Sequence, residues 1–429
     1  MEIFKNLILF ILLFTISQNH ILGQNKNSII KDENIYTISE DDEFALLDAI
    51  EQINEKGGYI YIDTPVININ DTVLEISGTL PGGIIGIRQS NGQYPRIDFK
   101  YARDTQFGSC IIITGSNQLL KYLIIENSLS AGIVIYGNKN SFVHIITRYN
   151  SDSGIEIYDE ADSNIFEFCY SYRNCNIKKF GHFSNGFTFY GGYNTIFNYC
   201  FAWDNIDSGF NAYENKQLSS NVTFRHCASW NNGNVDVFSG KYDYDNGKTL
   251  DKKMLTVQQM IESDENFEDN YIRKRFNLDN AKINGRNAFE WISVSSALID
   301  GFGIKVGTKK VSLTTIKIAD YTAVFDNKNN GFDNEGSQKC SGYFTNCASF
   351  NNYYNYLLPY NFIQWNNNWS WGANKGDKKD MDEITRKPKN TNTASKLFYS
   401  IREQIVETVY SNNFPENFNF DKAINSLSE

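Results

Sequence analysis

Gly132-Ile-Val-Ile135, Gly154-Ile-Glu-Ile157, Gly186-Phe-Thr-Phe189 and Gly209-Phe-Asn-Ala212 are versions of one short phrase. Gly303-Ile-Lys-Val306 and Gly331-Phe-Asp-Asn334 repeat it further on. An apolar residue, a variable one and usually another apolar one follow each glycine, the period of a β-strand. Gly132 to Gly154 is 22 residues and Gly186 to Gly209 is 23. A strand this short cannot bury its apolar face alone, but stacked copies can. The repeat therefore predicts an all-β chain wound as a right-handed parallel β-helix. Asn150-Ser-Asp-Ser153, Asn205-Ile-Asp-Ser208 and Asn327-Lys-Asn-Asn330 precede three of the strands. They read as turns, where Asn and Gly tolerate left-handed backbone. The 94 residues from Gly209 to Gly303 call for a further turn near Val222–Trp230 plus an insertion at about 243–287. That insertion carries a short helix around Thr256–Ser263 and reads as a lobe beside a groove.

The variable residue two places after each glycine faces away from the core. In stacked turns these positions line up about 4.8 Å apart. They predict one stripe: Val134, Glu156, Thr188, Asn211, Lys305 and Asp333. Cys169, Cys200, Cys227 and Cys347 each stand three residues before an aromatic. They read as small core residues at equivalent positions, unbonded to one another. A zinc site would need tighter spacing and histidine partners.

Outside the repeat, Ser39–Lys56 reads as a helix capped by Ser39, with Phe44, Leu47, Ile50 and Ile53 on its apolar face and Gly57 at its end. Such a helix caps the open end of a solenoid. Ala394–Tyr410 reads as an amphipathic helix, with Leu397, Ile401 and Ile405 in register, that packs back on the strands. Leu7–Ile16, behind Lys5, reads as the apolar core of a signal peptide ending near Gly23. The expected layout is a signal peptide over 1–23, an N-terminal segment with its capping helix over 24–62, the β-helix over 63–368, and a linker and helix over 369–429. The location is then secreted or periplasmic, with no membrane span after signal removal. A net charge of −10 excludes non-specific nucleic-acid binding, which needs a basic surface. A monomer is the expectation.

Three motifs in combination resemble polysaccharide lyase family 9, pectate lyases and related enzymes with a pectin lyase-like solenoid. They are Trp203-x-x-x-Asp207-x-Gly209-Phe210, Gly301-Phe-Gly-Ile-Lys305-Val-Gly307 and Gly331-Phe-Asp333. The resemblance covers roughly residues 86–356. It implies a lyase acting on an acidic, uronate-containing polysaccharide by β-elimination. It places the catalytic base at Lys305, with Lys241 as the fallback. It also places the family's four calcium aspartates at Asn185, Asp207, Ser208 and Asn211. Only Asp207 keeps a carboxylate, so calcium is expected to bind weakly if at all. Glu156, Thr188 and Asp333 flank this site on the stripe. The Gly-His-Gly and Arg-Ile-Lys motifs of polygalacturonases do not occur, nor does the Asp-Pro-His-Glu of alginate epimerases. The alternative reading is a non-catalytic β-helix that binds carbohydrate or serves adhesion.

Overall fold

In the computed structural model, three short strands per turn build the molecule, and every strand pairing within residues 58–379 is parallel. The structure describes residues 34–70, 73–99, 110–158, 160–175, 183–191, 193–211, 221–233, 304–305, 316–333, 341–358, 362–375, 378–379, 385–415, 418 and 420–428. The expected signal peptide, the insertion at 243–287 and Lys241 lie outside them. The described residues from Tyr36 onward form one compact unit. Among the described residues no helix is long and apolar enough to cross a membrane.

The phrase that opens each repeat forms one sheet. Its strands include Ile133–Ile135, Ile155–Ile157, Phe187–Phe189, Phe210–Asn211, Ile304–Lys305, Phe332–Asp333 and Tyr356–Leu358. Phe210–Asn211 pairs directly with Ile304–Lys305. The 94 residues between Gly209 and Gly303 are thus one turn and not two. Val222–Arg225 and Ala228–Trp230 are that turn's other two strands, continuing from Thr195–Asn198 and Phe201–Trp203. Solenoid strands also run past the expected boundary at 368, to Trp369–Trp371 and Lys378–Lys379.

Among the described residues, the repeat glycines Gly132, Gly154, Gly186, Gly209 and Gly331 do not adopt left-handed backbone. A Cβ on Gly186 would lie 2.6 Å from the Gly209 carbonyl oxygen, so close approach between turns excludes a side chain. The left-handed corners belong to other residues. Phe168, Tyr199, His226, Tyr321 and Asn346 bend successive turns at φ between 46° and 54°. Tyr149, Asp204 and Asp326 do so just ahead of the Asn-rich turns. The asparagines themselves have a different task. The Asn150 N–H donates to Asn174 Oδ1 at 3.1 Å, Asn174 to Asn205 at 3.3 Å, Asn205 to Asn232 and Asn232 to Asn327 at 3.1 Å, and Asn327 to Asn352 at 2.9 Å. Each buried amide so satisfies a backbone N–H that the bend strips from the strand ladder. An unpaired one would cost about 1–3 kcal/mol.

Stacked side chains fill both sides of the strands. Inside, Phe142, Phe166, Phe197 and Phe224 pile at 4.6–5.4 Å between ring centroids. Outside, Tyr172, Trp203, Trp230, Phe325, Phe350 and Trp371 form a second pile at 4.3–5.8 Å. Helices α2 (Thr391–Tyr410) and α3 (Asp421–Asn425) cover this outer pile with Phe398, Ile405, Val406 and Ile424. The buried face of α2 is centred on Phe398 and Arg402; Leu397 and Ile401 lie at its margin. The reason is an ion pair: Arg402 reaches Asp326 at 3.4 Å and sets the rotation of the helix.

The capping helix α1 (Glu43–Lys56) starts later than Ser39. Asp42 is the N-cap, accepting from the Ala45 N–H at 3.0 Å. Its buried face is Leu46, Ala49, Ile50 and Ile53, while Phe44 is exposed. Buried Glu43 takes the Asn70 N–H at 3.1 Å and its side-chain amide at 2.9 Å, which rotates Phe44 outward. Gly57 ends the helix at φ 71° as expected.

Cys169, Cys200, Cys227 and Cys347 are buried and unbonded, each thiol directed at a carbonyl of the preceding turn, 3.3–3.5 Å away. Thr322 holds the equivalent place in its turn, its hydroxyl 3.4 Å from the Phe224 carbonyl. Full alkylation of these four cysteines in denaturant without reductant is the expected result, read by mass. Protection of Cys200 together with Cys227 would show a bridge.

Candidate active site

The predicted stripe exists. In the phrase-bearing sheet Val134 pairs with Glu156, Glu156 with Thr188, Thr188 with Asn211, Asn211 with Lys305 and Lys305 with Asp333. Lys305 therefore occupies the register position between a neutral amide and a carboxylate. Leu357 and Lys378 continue the row. Glu156, Thr188 and Asp333 are nevertheless buried. Asp333 is held by the side-chain amide of Asn330, whose own oxygen accepts the Tyr354 N–H at 3.2 Å.

Of the four positions that the resemblance assigns to calcium, Asn185, Asp207 and Ser208 already have their polar atoms in use, while Asn211 lies beside Thr188 in the sheet. The Ser208 N–H donates to Asn185 Oδ1 at 2.9 Å, and Asn185 Nδ2 donates to Thr188 Oγ1 at 2.9 Å. The Ser153 hydroxyl donates to the Phe183 carbonyl at 2.7 Å. The Thr188 hydroxyl, 2.6 Å from Ser153 Oγ, then donates to it, because the Ser153 hydrogen is committed. This is a one-way relay of neutral groups from Ser208 to Phe183. Asp207 Oδ2 accepts the Phe183 N–H at 3.0 Å. Calcium takes six to eight oxygens, with several carboxylates among them in tight sites. Here one carboxylate stands with an amide oxygen already used as an acceptor, and the set does not fit that ion. Among the described residues no three His, Cys, Asp or Glu side chains converge.

Two features of the site were not anticipated from sequence. Phe183 is half exposed and sits at φ 70°, an uncommon backbone for a bulky residue. Bonds from both of its peptide groups, to Asp207 and Ser153, hold it there. Across the stripe stand Tyr136, Tyr158 and Tyr190, each four residues after a repeat glycine, with ring centroids 4.7 and 4.9 Å apart. Their recurrence was readable in the phrase itself. The Tyr158 hydroxyl donates to Glu156 Oε2 at 3.1 Å. Burial first, and then the Glu156 charge, raise the pKa of Tyr136, Tyr158 and Tyr190 and push the Cys110 thiol up to about 12.

Comparison with known proteins places these observations. A family model, the Pel9A-like right-handed β-helix region, matches residues 31–250. Pectate lyase L of Dickeya chrysanthemi is 28% identical over 107 residues, 24% of this chain and 25% of that protein. Pectate lyase L of Dickeya dadantii (strain 3937) is 27% identical over 125 residues, 28% of this chain and 29% of that protein. The chain thus spans about a quarter of the length of these curated relatives. Among solved structures, pectate lyase Pel9A superposes with a TM-score of 0.54 at 18% identity, over 80% of this chain and 74% of that one. A rhamnogalacturonan lyase gives 0.54 at 16% identity, over 82% and 84%. At these identities the likeness is one of fold.

Proposed function

Since the chain belongs to the Pel9A-like right-handed β-helix family, we propose that it is an exported polysaccharide lyase that cleaves a uronate-containing polymer by β-elimination, with Lys305 as the base. The observation that carries the reading is the register Asn211–Lys305–Asp333, which sets a lysine on the same stripe as Glu156 and Thr188. In the reaction, neutral Nζ takes the proton on the carbon next to the sugar carboxylate. The electron pair forms the new carbon–carbon double bond, and the C4–oxygen bond breaks to release the leaving chain. A lysine serves as base only in its unprotonated form, so the rate is expected to rise with pH.

The proposed reaction uses no calcium held by Asn185, Asp207, Ser208 and Asn211, because Asp207 alone among them has a carboxylate and holds Phe183 with it, and Asn185 and Ser208 are engaged in the relay. Incubation with polygalacturonate and with rhamnogalacturonan, followed through the ultraviolet absorbance of unsaturated ends, tests the proposal. Activity on at least one polymer is expected, and a chelator is expected to change it by less than about twofold. Full loss on chelation would move the metal ligands elsewhere. The same relay favours a second reading, a carbohydrate-binding β-helix without turnover. Binding without any absorbance change on either polymer is its signature.

A further inference from the structure

Glu156 stands three turns before Lys305 on the stripe, roughly 14 Å along the solenoid axis at about 4.8 Å per turn. A pyranose chain lying along the stripe advances by nearly one unit per turn, so the unit over Glu156 belongs to the same polymer as the unit at Lys305. Glu156 is only 6% exposed. It accepts from the Tyr158 hydroxyl, and its charge acts on Tyr136, Tyr190 and Cys110. The groups gathered there are themselves weak acids that burial first, and the Glu156 charge second, keep protonated. A second carboxylate brought to this place meets like charge in a poorly solvated setting, which is unfavourable. Sugar hydroxyls meet the reverse. The tyrosine hydroxyls and the carboxylate offer acceptors and donors, and Tyr136 on one wall and Phe183 on the other offer exposed aromatic surface.

We propose that the floor at Glu156, walled by the tyrosine file and by Phe183, is a subsite for an uncharged sugar unit, and that it selects polymers in which acidic and neutral units alternate over polymers acidic at every unit. This rests on the proposed polysaccharide function and deepens it. Thr188 and Asn211, the next two floor positions, are neutral and impose no charge rule of their own.

The test uses binding, so that it stands apart from turnover. The Lys305→Ala protein is titrated by calorimetry with polygalacturonate oligosaccharides and with rhamnogalacturonan oligosaccharides of equal length, in the same salt. At least tenfold tighter binding of the alternating chains is expected. Adding Glu156→Gln, which keeps the shape and removes the charge, is expected to shrink that ratio at least fivefold by strengthening the fully acidic ligand. Val134→Lys, which sets a cation one turn away, is expected to act in the same direction and serves if the glutamine variant does not fold. Phe183→Ala is expected to weaken both ligands alike. Equal binding of the two ligands, or a ratio unmoved by both charge variants, overturns the subsite. An absence of cleavage by wild type with the binding ratio intact overturns only the lyase reading.

Discussion

Replacing Lys305 by alanine is expected to lower kcat on the cleaved polymer by about 10²–10⁴-fold, the usual contribution of a general base. Apparent affinity should stay within a few-fold, because the binding surface extends along many turns of the stripe. Lys305→Arg is expected to fail equally. Arginine keeps its proton throughout the accessible pH range and cannot accept another. Far-ultraviolet circular dichroism should match wild type, because the two-residue strand Ile304–Lys305 keeps its pairing through backbone bonds. Initial rates of the three proteins across pH, read at the absorbance of unsaturated ends, decide the matter. Wild-type rates from Lys305→Ala would falsify the assignment and turn attention to Lys241.

The largest effect on stability is expected at Arg148. Its Nε lies 2.6 Å from Glu126 Oε2, Arg96 holds the other Glu126 oxygen at 2.6 Å, and Arg148 also donates to the Tyr172 hydroxyl at 2.9 Å. Both members of the Arg148–Glu126 pair are buried. Removing Arg148 leaves the buried Glu126 carboxylate with only the partly exposed Arg96 against it and takes the donor from the Tyr172 hydroxyl, in a poorly polarisable surrounding. Arg148→Ala should therefore cost about 3–5 kcal/mol, read as a lower urea midpoint. The pH dependence follows from Glu126. Burial pushes its pKa up, but Arg148 and Arg96 outweigh this and hold it below the ordinary 4.5. A depressed folded-state pKa contributes stability that is complete above the unfolded value and is lost as pH falls through the folded one. Wild-type stability should thus drop in acid below 4.5, and Arg148→Ala should flatten that drop. An unchanged midpoint at neutral pH would show that the triad is solvated.

Much of the fold was legible because a solenoid writes its geometry into sequence at a fixed interval. The glycine phrase located six strands of one sheet, and its third residue named the stripe from Val134 to Asp333 in order. The cysteine positions were readable for the same reason: one residue per turn enters the same pocket. Where the reading slipped, the cause was a long-range contact. The spacing from Gly209 to Gly303 suggested two turns, but only strand pairing distinguishes an insertion within a turn from an added turn. The apolar faces assigned to the two helices were displaced because buried Glu43 and Arg402, polar residues that pattern reading sends to the surface, find partners at Asn70 and Asp326.

The candidate site divides in the same way. The repeat in the sequence determined that Lys305 would share a row with Glu156 and Asp333, whereas the grouping of Asn185, Asp207, Ser208 and Asn211 was implied by the resemblance of the motifs to the family. It did not determine what those groups do with their hydrogen bonds. Only the tertiary structure decided that Asp207 spends its carboxylate on the Phe183 backbone, that Asn185 is tied to Ser208 and Thr188, and that a tyrosine file stands over Glu156. The physical reason is that register depends on chain periodicity, which is local, whereas the partner of a buried polar atom depends on which turns come within about 3 Å of one another.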